Sequence, residues 1–75
     1  MIAYILLTVK PGTSEEVVKS LRKVSGVKRA DSVYGQYDAI VTIEVPSMEK
    51  LAELIYKVIK KNSNITRTET TIALE

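Results

Sequence analysis

Residues 2 to 10, Ile-Ala-Tyr-Ile-Leu-Leu-Thr-Val-Lys, read as an extended strand that is largely apolar on both sides. Alternation puts Ala3, Ile5, Leu7 and Val9 on one face and Ile2, Tyr4, Leu6 and Thr8 on the other. A strand covered by helices on one side only carries a wet second face. This one calls for cover on both. The chain has 75 residues, enough for one small core. The second cover is therefore expected from another copy of the chain.

The remaining elements follow from period and punctuation. Pro11-Gly12 ends the first strand, and Thr13-Ser14-Glu15-Glu16 fits a capping box with Thr13 as N-cap and Glu16 reaching back. Val17, Leu21 and Val24, with Val18 beside them, make a helical stripe that closes at Ser25-Gly26, with Gly26 as a left-handed C-cap. Val27 to Tyr34 is a second strand whose Lys28, Arg29, Asp31 and Ser32 suit an edge. Tyr37 to Val45 is the third, with Ala39, Val41, Ile43 and Val45 on one face, and Pro46 closes it. Ser47 is a good N-cap for a second helix with the stripe Leu51, Leu54, Ile55, Val58 and Ile59. Lys57, Lys60 and Lys61 favour its C-terminal end through the macrodipole. Asn62-Ser63-Asn64 turns the chain into a last strand, Ile65 to Leu74, rich in β-branched threonine.

The order strand, helix, strand, strand, helix, strand is the ferredoxin-like βαββαβ pattern, an α+β fold. Right-handed crossovers put the first and third strands in the middle of a four-stranded antiparallel sheet, with both helices on one face. Ile2, Tyr4, Leu6, Ile40 and Thr42 are then left on the other face as an apolar patch, the expected dimer surface. One domain over residues 1–75 is expected, with no linker or repeat.

Composition removes several functions. Cysteine and histidine are absent, which excludes thiolate metal sites, disulfides, a Cys nucleophile and the commonest general base. An enzyme on this scaffold would have to rely on Asp38 and Tyr37. A net charge of +2, with acidic residues dispersed among the basic ones, is too even for a strong nucleic-acid binder. The apolar N-terminus lacks a basic leader and is too short for a membrane span, so a cytoplasmic location is expected.

One corner stands out. Val33-Tyr34-Gly35-Gln36-Tyr37-Asp38 reads as a reversal in which Gly35 takes positive φ, Val33 and Tyr34 end one strand, and Tyr37 and Asp38 open the next. It sets a carboxylate at a strand mouth beside backbone N–H groups that the turn can leave free. The residue types alone also fit plainer roles. Asp38 can stabilise an Asx-type turn, the threonines can serve β propensity, and the tyrosines can be packing residues.

Gly35-x-Tyr37-Asp38 ahead of Ile40-Val41-Thr42-Ile43, followed by Asn64-Ile65 and Thr68-x-Thr70-Thr71-Ile72-Ala73-Leu74, resembles the effector-binding, or RAM, domain of the Lrp/AsnC regulators. The resemblance covers essentially the whole chain. It implies a regulatory module that is not an enzyme, needs no cofactor and binds an amino acid effector between subunits. Family members form homodimers through the sheet and then closed rings of dimers, octamers or decamers. The helix-turn-helix DNA-binding domain of such regulators has no counterpart before the first strand. A stand-alone form that does not itself bind DNA, and that joins full-length Lrp/AsnC regulators, is therefore expected. The ligand-binding positions implied are Gly35, Tyr37, Asp38, Thr68 and Thr70. By their size and chemistry, Tyr34 or Tyr37 can wall the side-chain pocket.

These residue types suit a free amino acid. Asp38 can accept from the ammonium, the N–H groups of Gly35 to Tyr37 can cradle the carboxylate, and each threonine offers a donor and an acceptor. Two strand spacings, roughly 10 Å, separate the third strand from the last, so one ligand is expected to be completed by a second subunit. The alternatives are a purely structural assembly partner and a small dimeric ferredoxin-fold enzyme.

Overall fold

The computed structural model describes residues 1–74. Its order is β1 (Ile2–Val9), α1 (Ser14–Arg22), β2 (Val27–Ser32), β3 (Ala39–Glu44), α2 (Met48–Leu54), a π-helical continuation of α2 over Ile55–Ile59, and β4 (Ile65–Ile72). The strands form one antiparallel sheet in the order β2-β3-β1-β4. This is the ferredoxin-like α+β arrangement expected from the order of elements, with β1 and β3 central.

The inward side of β1 and β3 is fully enclosed. Ala3, Ile5, Leu7, Ala39, Val41 and Ile43 are all at 0% exposure. Val17, Val18 and Leu21 of α1, Leu51 and Leu54 of α2, and Ile59 complete the core. Each such Leu, Ile or Val contributes about 1.5–3 kcal/mol by leaving water. On the outward side Ile2, Leu6, Ile40 and Thr42 are half-buried and Tyr4 is exposed. The two helices leave that face uncovered in the single chain. Among the described residues no helix is long and apolar enough to cross a membrane.

Several local expectations are corrected. Thr13 does not form a capping box. Its Oγ1 donates to the Lys10 carbonyl at 2.7 Å, so it tightens the turn after β1 instead of accepting from the helix. Helix α1 ends at Arg22, so Gly26 lies beyond the cap. Its φ of +97° and tight surroundings still demand glycine, since a Cβ there would come within 3.0 Å of Leu54 Cδ1. Ser47 does cap α2, accepting from the Lys50 N–H at 3.2 Å. The helix then widens into a π turn closed by Lys60 N–H to the Ile55 carbonyl at 2.9 Å, which the apolar stripe does not foretell. Strand ends are shorter than the pattern suggests, because β2 stops at Ser32, β3 starts at Ala39 and β4 stops at Ile72.

Candidate functional site

The six residues Val33 to Asp38 form the whole connection between β2 and β3. It is a wider loop than a tight hairpin turn. The Val33 N–H donates to the Asp38 carbonyl at 3.0 Å and closes the loop, and Gly35 at its tip has φ +139°. Among the described residues the N–H groups of Gly35, Gln36 and Tyr37 have no protein acceptor, and the Tyr34 side chain is fully exposed. The tip therefore offers donors to solvent or to an anion.

Asp38 anchors this loop to the central strand. Its N–H donates to the Leu7 carbonyl at 2.8 Å, and its Oδ2 accepts from the Val9 N–H at 2.9 Å. The carboxylate stands where the next carbonyl of β3 would, and so prolongs the β1–β3 ladder by one rung. β3 begins only at Ala39, opposite Leu7, so the Val9 N–H on that edge has no strand partner. On the other edge of β1 the β1–β4 register shifts between Thr8 and Val9, with Thr66 as the extra residue and its Oγ1 donating to the Thr8 carbonyl at 3.1 Å. Asp38 is thus not an Asx-turn residue. It bonds across 29 positions of sequence, and its second oxygen makes no protein hydrogen bond among the described residues.

Tyr37 reaches the other way. Its hydroxyl donates to Glu69 Oε2 on β4. Glu69 pairs with Leu6, so this contact lies on the uncovered face, and the Tyr37 side chain crosses β1 to make it. Acceptance by the Glu69 carboxylate holds the Tyr37 phenol above its ordinary pKa, and neighbouring Arg67 partly offsets this. Thr68 and Thr70 pair with Leu7 and Ile5, so they point to the helix side of β4. Thr68 is half-buried and Thr70 exposed. The loop and the start of β4 share one end of the sheet, as expected. The two threonines nonetheless face away from the Tyr37–Glu69 contact.

Glu69 is not singled out by the sequence pattern. Its signal was available, since in an antiparallel register with β1 the positions 67, 69 and 71 share the face of Tyr4, Leu6 and Thr8. A cleft of about 520 Å³ lies at the opposite end of the sheet, between the α1–β2 turn and α2, and includes none of these residues.

The chain matches the Lrp/AsnC ligand binding domain over residues 2–75 and belongs to that family. Its structure is similar to that of hypothetical protein PHS023 from Pyrococcus horikoshii, with 37% identity, a TM-score of 0.95, and 100% of this chain and 92% of that one covered. FFRP-DM1 is comparably similar, at 37% identity and TM-score 0.93 with 97% of both chains covered. The fold also matches the transcriptional regulator NMB0573 of Neisseria meningitidis, solved as a complex with L-Met. That match has 14% identity and a TM-score of 0.87, and covers 99% of this chain and 49% of that one. No curated protein matches the sequence.

Proposed function

We propose that this chain is a stand-alone amino-acid-binding regulatory module of the Lrp/AsnC family that forms homo-oligomers and modulates full-length regulators. Family membership supports the regulatory class. The stand-alone form is suggested by two solved neighbours that it matches over 92% and 97% of their lengths. The L-Met complex of a regulator with the same fold supports an amino acid as effector.

The observation that carries the reading is the chemistry of the β2–β3 loop. Among the described residues the N–H groups of Gly35 to Tyr37 have no protein acceptor, and in the same loop Asp38 keeps one carboxylate oxygen without a protein hydrogen bond. The loop thus offers an anion acceptor and a cation acceptor, the complement of a zwitterion. Tyr34 and Tyr37 wall the side chain. Thr68 and Thr70 belong to the other side of the sheet edge, so in this reading they contact the ligand held by a neighbouring subunit. Sensing then sits at the seams of a ring of dimers, and binding is linked to assembly.

Calorimetric titration with each of the twenty amino acids, paired with mass measurement, tests it. One or a few should bind saturably and change the assembly. Asp38→Asn, which keeps an oxygen for the Val9 N–H, should retain stability and weaken binding. Asp38→Ala should weaken it by about 2–5 kcal/mol. Silence across all twenty with unchanged mass would remove the proposal.

A purely structural assembly partner is the second reading. It draws on one observation: Asp38 already has a structural duty at the Val9 N–H. It expects co-purification with a full-length regulator and indifference to amino acids.

A further inference from the structure

We propose that the cleft at the end of the sheet opposite the β2–β3 loop is a second ligand site, shaped for a small aliphatic monocarboxylate. This does not rest on the amino-acid reading of the loop. The cleft measures about 520 Å³, room for a short branched chain and its first waters. Val24, Val45, Leu54 and Val58 supply an apolar floor. Gly26 passes so close to Leu54 and Val45 that the floor has no space for a side chain there.

The polar groups converge on one kind of partner. Among the described residues the N–H groups of Ser25 and Gly26 have no protein acceptor, and both residues line the cleft. Lys50 and Lys57 stand at the rim. Their acidic partner among the described residues is Glu53, whose Oε1 lies 4.0 Å from each ammonium, the far limit of an ion pair. Glu44, the other acidic lining residue, is held by Lys28 at 3.0 Å. Two ammonium groups therefore share one distant carboxylate, and two N–H donors stand open beside an apolar floor. A carboxylate with a short hydrocarbon tail complements all three features.

The wall itself is unusual. Lys57 and Val58 both belong to the π turn Ile55–Ile59. Such turns are rare, and they are frequent at functional sites. Here the turn brings one rim cation and one floor side chain into the same opening.

NMR of amide- and methyl-labelled protein, titrated with isovalerate, tests the site. The amides of Ser25 and Gly26 and the methyls of Val24, Leu54 and Val58 should shift together and saturably. Acetate lacks the tail and isoamyl alcohol lacks the charge, so each should bind at least about tenfold more weakly. Replacing the exposed pair, Lys50→Ala with Lys57→Ala, should weaken isovalerate about tenfold and leave the alcohol response and the fold unchanged. Val58→Glu, which sets a carboxylate in the cleft, should abolish binding. No saturable shift at these residues, an equal response to acetate, or shifts confined to Gly35–Asp38 would each overturn the proposal. The last result would leave the amino-acid reading standing.

Discussion

The two faces of the sheet are made from the same strands and the same alternation, yet their fates differ. Toward the helices, Ile5, Leu7, Val41 and Ile43 are wholly enclosed. Toward the other side, their neighbours Leu6 and Ile40 are half-buried and Tyr4 is 40% exposed. One face finds its cover within the chain. The other has apolar side chains of similar size without helices above them. A sheet with a single helical layer does not need an apolar second face for its own core. We propose that Tyr4, Leu6 and Ile40 serve contact with a second copy of the chain.

The largest contrast is in stability. Ile5→Ala should cost about 2–5 kcal/mol in denaturant unfolding, because it opens a cavity in a closed core. Leu6→Ala, one residue away, should cost far less in dilute monomer while weakening self-association. Equal losses in dilute monomer would mean that the faces do not differ.

A second contrast concerns the carboxylate at the sheet end. Asp38→Ala leaves the Val9 N–H without its acceptor and should cost about 1–3 kcal/mol without any ligand present. Thermal unfolding of the ligand-free variant reads it directly. An unchanged midpoint would show that water replaces the carboxylate there.

Smaller effects come from pH. Tyr37 has a raised pKa in the folded chain, mainly through its hydrogen bond to Glu69. Its contribution is present below the ordinary tyrosine value and is lost as pH rises through the raised one. The Tyr37→Phe variant should lack this loss in an alkaline unfolding series. Glu44 behaves in the opposite sense. Its hydrogen bond and ion pair with Lys28 lower its pKa, so its contribution holds above the ordinary glutamate value and fades as pH falls through the lowered one. Lys28→Ala should flatten that acid limb slightly, the smallest change of the set because the pair is exposed.

Much of this architecture is legible in the chain. Period-two and period-3.6 patterns fix the order of elements, and charges on Lys28, Arg29 and Asp31 mark β2 as an edge, as the topology has it. What escapes the pattern is non-local. Thr13 has the sequence of a cap but a nearer acceptor in Lys10. Asp38 bonds to Val9 because the β1–β3 pairing ends at Leu7–Ala39 and leaves the next β3-facing N–H of β1 without a strand partner. Glu69 looks like a solvated residue among threonines until the register sets it before Tyr37. The loop's residues were readable as a candidate site, but their division between the two faces was not, since it depends on the β1–β4 pairing.

The most direct test is the mass of the particle in solution, measured by sedimentation across a wide concentration range for the native chain and for Leu6→Asp. The native chain is expected as a dimer or a larger closed assembly, and the variant as a folded single chain of 8.3 kDa. A native chain that stays at 8.3 kDa even when concentrated would contradict it.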